Sequence, residues 1–344
     1  MKEIVANSLS KEEYAAFLAT VPHSAFHKLE WLAALQVIYP LQIQLIGYFQ
    51  GQDLFAVTPL MGLRRGPFTF WGAPIRKCNT PPATIFCSPR NEAAKALPAL
   101  HMWVRRQRLS YVQVTLPDEN NHAEDLADKI EALDNLELDL SMPLQSIWDG
   151  LSQQRASVRK AVKSGVHVHW GYRSEILSAQ RKVVQDTYRL QRIEPNIPDK
   201  LYATLLTTQK SNDVRVLYAT HEGRIVAIVW VICDATRCYY WDAAGLAEAR
   251  ELNANHLLVW CLIRWASKHG FKTLDLVGTS IGGKGGSRPG IGRFKQSMGG
   301  RPVAYRIAYW YSPFMKILFA CYRQSLQLSK RLKEIRSGKD VRHS

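Results

Sequence analysis

The sequence predicts an α/β chain built from two copies of one strand–turn–strand–helix–strand unit. Three observations predict it. Two hairpin patterns sit about half the chain apart, LIGYFQGQDLFAVTPL at 45–60 and LYATHEGRIVAIVWV at 217–231. Each is followed by a helical pattern and then by a short apolar strand. The chain, 344 residues with 47% apolar residues, ten Trp, fourteen Tyr and eleven Phe, is large enough for two cores.

In each hairpin a polar turn separates two apolar strands, with Gly51 and Gly223 at the turns. Allowing one inserted residue, Ala56 falls on Ala227. In the first copy a helical stretch around 91–108 leads into the strand YVQVTL, 111–116. The second copy opens with WDGLSQQRASVRKAVKSGV, 148–166, read as one helix ending at Gly165. Arg155, Arg159 and Lys163 recur there at spacing four and share a face, either solvated or a contact for phosphate or lipid head groups. After the second hairpin, ANHLLVWCLIRWASKHG, 254–270, has helical spacing of Leu257, Leu258, Cys261, Leu262 and Trp265, and the strand TLDLVG follows. The expected domains are 1–147, 148–304 and a basic amphipathic tail, 305–344. Helical spacing of Phe314, Ile317, Leu318 and Cys321 before a basic end predicts a helix that lies on anionic lipid or docks on a domain.

The net charge of +16 is unevenly spread. Residues 118–149 hold ten acids and one lysine, a net −9; residues 301–344 hold ten Lys/Arg and two acids, a net +8. Such a chain attracts nucleic acid, anionic lipid or phosphorylated substrates. The six cysteines (78, 87, 233, 238, 261, 321) form no C-x-x-C pair, so neither a zinc site nor a disulfide framework is expected, and a reduced, cytoplasmic setting fits. The N-terminus has no signal-peptide pattern, and no apolar run approaches the ~20 residues that span a bilayer. His167 and His169 share a strand face, but no third ligand accompanies them, so no metal is expected.

Residues 274–300 contain nine glycines, and from Lys284 to Lys295 four basic side chains and no acid. Gly278, Gly283 and Lys284 fit part of the phosphate-loop motif G-x-x-x-x-G-K-[ST], but Gly285 stands where a hydroxyl should meet magnesium. Gly286 and Pro289 are expected to stop the helix whose N-terminus would face phosphates. The loop 278–293 therefore reads as a phosphate-tolerant substrate loop, with Lys284, Arg288 and Arg293 meeting phosphates beside exposed backbone at glycines such as Gly290, or else as a solvated loop.

Four stretches together resemble the Fem-type acyltransferases, GNAT-fold peptidyltransferases that add amino acids from aminoacyl-tRNA to peptidoglycan precursors, with relatives in polysaccharide biosynthesis. RASVRKAVKSGVHV (155–168) is similar to the Arg-rich helix that opens their second domain. VLYATHEGRIVAIVWVI with RCYYWDAAG is similar to their central strands, and LNANHLLVWCLIRWASKHGFKTLDLVG (252–278) to their helix and strand ending in D-x-x-G. PGIGRFKQSMGG (289–300) is similar to G-x-x-x-F-K-x-x-x-G-G. The resemblance implies tandem GNAT-like (acyl-CoA N-acyltransferase fold) domains of mixed α/β class. The match departs at the insert TSIGGKGGSR and at Met298, where an aromatic is common. The coenzyme A signature Arg/Gln-x-x-Gly-x-Gly/Ala is not evident, and acids occupy 242–255 instead of glycines. The acyl donor stays open between aminoacyl-tRNA and acyl-CoA, and no bound cofactor is expected.

Acyl transfer to an amine needs a neutral amine, alignment and a stabilised oxyanion. Lys295 is the candidate for the oxyanion. The resemblance places the Phe-Lys pair at the reaction centre, so Phe294 would wall the site. Asp242 is a candidate to take or orient the amine's proton, or else caps a turn. Asp275 is expected to brace the loop. The expected partners are a phosphate-linked saccharide or peptide precursor, charged tRNA, and an anionic membrane surface through 305–336. The setting that follows is cytoplasmic, peripheral on the inner face of the plasma membrane. Two rivals remain: acetyl-CoA-dependent acetylation of an amino sugar in exopolysaccharide assembly, and a non-catalytic RNA- or membrane-binding protein.

Overall fold

A computed structural model describes residues 3–76, 78–81, 93–116, 123–171, 175–191, 197–208, 213–278 and 289–340. The first half runs β1 (Ile4–Ser8), α1 (Lys11–Leu18), α2 (Leu29–Ile38), β2 (Leu41–Gln50), β3 (Asp53–Arg65), β4 (Phe68–Ala73), α3 (Ala93–Arg106), β5 (Tyr111–Thr115), α4 (Ala123–Leu126) and β6 (Lys129–Asp139). The second runs α5 (Leu144–Gly150), α6 (Gln154–Lys163), β7 (His167–Trp170), α7 (Glu175–Gln191), α8 (Asp199–Thr208), β8 (Val214–His221), β9 (Arg224–Cys233) and β10 (Arg237–Gly245). It continues with α9 (Ala247–Glu251), α10 (Ala254–Lys268), β11 (Thr273–Asp275), α11 (Pro289–Ser297), β12 (Arg301–Tyr311) and α12 (Pro313–Asp340).

The described strands form one sheet, ordered β1-β2-β3-β4-β5-β12-β6-β11-β10-β9-β8-β7. The order is a near palindrome of the two halves, with the last strands exchanged. β12 pairs with β5 of the first half, and β6 pairs with β11 of the second. β6 and β12 then pair with each other over Lys129–Glu137 and Arg301–Tyr309, at the middle of the sheet. The duplication extends to a shared irregularity. A bulge interrupts β2–β3 just after Tyr48↔Ala56 and β8–β9 just after Ala219↔Ala227, so Ala56 and Ala227 hold the same place. The second hairpin turns through Glu222 and Gly223, both at positive φ, the pattern of a type I′ turn.

Strand alternation assigns the two faces. Ile130, Leu136 and Leu138 share one face of β6. Ile130 packs in a first-half core with Leu97, Leu100 and Trp103 of α3; Leu136 and Leu138 pack in a second-half core with α6 and α10. The other face carries a core common to both halves. There Trp241 of β10 meets Trp31 of α2 and Tyr202 of α8, with ring centroids 5.8 and 6.0 Å away. The middle of this second face is polar: Gln113 lies beside Tyr309, and Glu137 beside Asp275.

Several expectations change. The stretch 148–166 is not one helix: α5 and α6 are separated by Ser152, which sits at φ 44. The first hairpin gains a third strand, β4, before its helix, matching the β10 expected at RCYYWDAAG in the second. The strand expected at TLDLVG ends at Asp275. The expected boundaries at 147 and 304 fall inside α5 and β12, so the first residues of the expected tail, 305–311, belong to that strand. Pro289 does not stop a helix but opens α11, where its fixed φ suits the first turn and its missing N–H would have had no partner anyway.

Candidate active site

β10 and β11 run parallel, but they pair only from Arg237↔Thr273 to Tyr239↔Asp275. β10 then continues to Gly245 through a bulge between Tyr240 and Asp242, while the other chain turns away. Leu276 N–H goes to Leu136 O, 2.8 Å, on the far side. Val277 sits at φ 48 and Gly278 at φ 36. A β-branched residue in the left-handed region is strained and persists only where its surroundings hold it. Asp275 holds this one: its Oδ1 accepts the Val277 N–H at 2.7 Å and Asn135 Nδ2 at 2.9 Å.

Lys295 reaches into the opening. α11 packs on the second-half core through Phe294 and Met298, and Lys295 is only 8% exposed. Its ammonium donates to Val277 O, lies 3.5 Å from Gly278 O, and stands 5.8 Å from the centre of the Tyr240 ring. Burial pulls its pKa down to about 8, against the opposing pull of the Asp275 and Asp242 carboxylates. Among the described residues its three donors meet two carbonyls, which leaves one N–H for an oxygen entering the opening.

Asp242, half-buried, faces α7 and α8 across the opening. It accepts Tyr202 O–H at 2.7 Å and Gln180 Nε2 at 3.5 Å; Gln180 Oε1 in turn accepts Trp230 Nε1 at 3.1 Å. Burial pushes the Asp242 pKa up, opposed by these donors, the Ala243 N–H and Lys295. The arrangement does not cap a turn. It holds a carboxylate in the field of a buried cation. Behind it, Asp275 is 1% exposed and burial pushes its pKa up to about 6. Arg237, Glu137 and Tyr305 complete that cluster: Glu137 Oε1 takes Arg237 and Tyr305, both at 2.6 Å, and Arg237 lies 3.8 Å from Asp275.

Lys295, Asp242 and Asp275 are thus brought together. Phe294 packs against the second-half core, its ring edge-on to His256 at 5.0 Å. Gly290 and Arg293 lie exposed on α11, and Lys284 and Arg288 lie outside the described residues. Arg155 and Arg159 are elsewhere, on α6. Arg155 bonds Asp149 at 3.2 Å, and Arg159 stands over Trp148 at 5.8 Å. His167 and His169 lie on the edge strand β7, and no group of metal-ligating side chains occurs among the described residues. Sequence reasoning missed Tyr202, Gln180, Asn135 and Tyr240. One signal was present: Gln180 falls on the stripe Ile176, Val183, Val184, a polar residue at an apolar helix position, and it is 1% exposed.

Residues 152–296 match the profile of a family described as an acetyltransferase (GNAT) domain. No curated protein matches the chain. The fold is similar to a crystal structure of FemX, with TM-score 0.68 and 12% identity over 88% of this chain and 96% of that one. It is similar to the C-terminal domain of a putative lysylphosphatidylglycerol synthetase from Agrobacterium fabrum, with TM-score 0.58 and 12% identity over 90% of this chain and 94% of that one. It is also similar to a tandem GNAT protein from the clavulanic acid biosynthesis pathway, with TM-score 0.53 and 12% identity over 91% and 99%. The chain is an acyltransferase of the GNAT fold, and residues 152–296 are its acetyltransferase (GNAT) domain.

Proposed function

We propose that the chain transfers an acyl or aminoacyl group to an amine of a phosphate-linked cell-envelope precursor, peptidoglycan or polysaccharide. The observation that carries the reading is Lys295: a buried cation at a strand opening, with a carboxylate opposite and, among the described residues, one donor left over. As the amine attacks the acyl carbon, negative charge grows on the carbonyl oxygen. A cation already stripped of water stabilises it without reorganisation. Asp242 accepts the proton that the nitrogen sheds, and its raised pKa suits it to that task. The intermediate collapses by breaking the acyl bond to the donor's oxygen or sulfur, which leaves and takes up a proton.

The likeness to FemX and to the putative lysylphosphatidylglycerol synthetase supports an aminoacyl group as the cargo. A feature of this chain favours a donor other than coenzyme A. Where β10 passes to α10, the place of a pyrophosphate in coenzyme A users, α9 instead presents Glu248, paired with His221 at 2.8 Å and Arg224 at 3.2 Å. Acids stand there in place of the glycines of the coenzyme A signature, so the backbone lacks the open approach that a diphosphate needs. Charged tRNA is the donor this favours; acetyl-CoA with an amino-sugar acceptor is the rival.

A thermal-shift comparison separates them, because a ligand of the folded state raises the midpoint by mass action. Charged tRNA should stabilise the protein and coenzyme A should not; the reverse result moves the reading to sugar acetylation. With the donor so found, Lys295→Ala should cost about a hundredfold or more in kcat while the unfolding midpoint stays put or rises. Unchanged turnover would remove Lys295 from its role.

A further inference from the structure

α12 hides one apolar stripe and leaves another uncovered. Its first turns dock on the sheet end: Met315 is fully buried, Phe319 stands 5.2 Å from Tyr311, and Lys316 pairs with Asp128 at 2.5 Å. Yet Phe314, Ile317, Leu318, Tyr322, Leu326 and Leu328 are all exposed, Ile317 at 64%. The other exposed large apolar side chains among the described residues (Val5, Val37, Met102, Val162) are scattered singly, which needs no explanation. At 100° per residue, 314, 317, 318, 321 and 328 fall in one arc, away from Met315 and Phe319, while the exposed Tyr322 and Leu326 continue the Met315–Phe319 side. A helix serving only its own domain buries its apolar side; this one has a second.

A different part of the chain meets that stripe. The tip of the β3–β4 hairpin carries Arg64 and Arg65, both exposed, and Phe68, whose ring lies 5.8 Å from that of Phe314. Arg64 Nε donates to Gly66 O at 3.2 Å, and neither arginine pairs with an acid among the described residues. Arg323 is also exposed, and the helix continues through Lys330, Arg331, Lys333 and Arg336 with one acid, Glu334, among them.

We infer that the outer stripe of α12 and the β3–β4 tip form one docking surface for an anionic lipid bilayer. The apolar stripe would enter the boundary between head groups and acyl chains, with Arg64, Arg65 and Arg323 on lipid phosphates. Charge selects this occupant over a second copy. Pairing two such helices would set like cations against each other, whereas each cation near an anionic surface contributes about 1 kcal/mol. The surface is independent of the acyl-transfer reading: β12 separates Lys295 at one end from α12 at the other, roughly 35 Å along the strand.

The test is flotation of the full chain with vesicles of phosphatidylcholine alone and of equal phosphatidylcholine and phosphatidylglycerol. The chain should float with the anionic vesicles only, more weakly as salt rises. Ile317→Glu with Leu318→Glu should abolish flotation with an unchanged unfolding midpoint. Arg64→Glu with Arg65→Glu should weaken it about tenfold or more. Equal binding to both vesicles, no binding to either, or indifference to the hairpin pair would each overturn the inference. So would a dimer, seen by light scattering without vesicle binding and dissolved by Ile317→Glu, which would make a second copy the occupant.

Discussion

Asp275 has an ordinary value of 3.8 and is held at about 6, with burial as the largest cause and the Glu137 charge adding to it. Its folded form therefore binds a proton more readily than the unfolded chain does. The associated stability is complete below pH 4 and is lost as pH rises through 6, on the order of 2–3 kcal/mol. The carboxylate is retained at that cost in a place where it holds strained Val277 and faces Lys295. Asp275→Asn keeps an acceptor for the Val277 N–H and removes the charge. Denaturant unfolding between pH 4 and pH 7 should then show a flatter stability profile for the variant, which at pH 7 should match or exceed the parent. Parallel profiles would mean that Asp275 binds its proton equally well in the folded and unfolded chain.

α11 and the turn after it show why the segment PGIGRFKQSMGG takes its form. Pro289 starts the helix, and two glycines end it. Gly299 has φ 95, and at Gly300 an added Cβ would lie 2.8 Å from Leu276 Cδ1 and 2.9 Å from Lys295 O. The second contact is backbone of the helix that presents Lys295, so it cannot be relieved by a side chain turning away. Gly300→Ala should lower the unfolding midpoint, cost about 1–3 kcal/mol, and reduce acyl transfer. Gly150→Ala, where a Cβ meets nothing within 4 Å, should do neither. Equal effects at the two glycines would refute the close-packing account. Lys295 was legible in the sequence because the Phe-Lys pair stands in a recognisable segment, and α10 because its apolar positions keep one period. The partners of Asp242 were not, since Tyr202 and Gln180 come from two helices that meet β10 only in the folded chain. Nor was the break between α5 and α6, because nothing in the residue types marks Ser152 as left-handed.

At the scale of the molecule, the exchange of β6 and β12 decides whether the halves are separable. A cut between 147 and 148 leaves β6 on a first half without either of its partners, β11 and β12, and turns β5 into an edge strand paired with β4 alone. It also severs the common core, where Trp241 packs beside Trp31 and its indole N–H bonds Asn79 O at 2.7 Å, and the ion pair of Lys28 with Asp213. Unpaired strand edges aggregate, and a half without the shared core lacks the burial that offsets chain entropy. Residues 1–147 and 148–344 expressed separately should therefore give no cooperative unfolding transition, whereas their co-expression should yield a complex with one transition near that of the intact chain. Two independently folding fragments would show instead that the β6–β12 pairing is a contact between finished domains. The sequence repeat allowed either arrangement, because hairpin patterns report which strands exist and carry no signal for which copy completes the other's sheet.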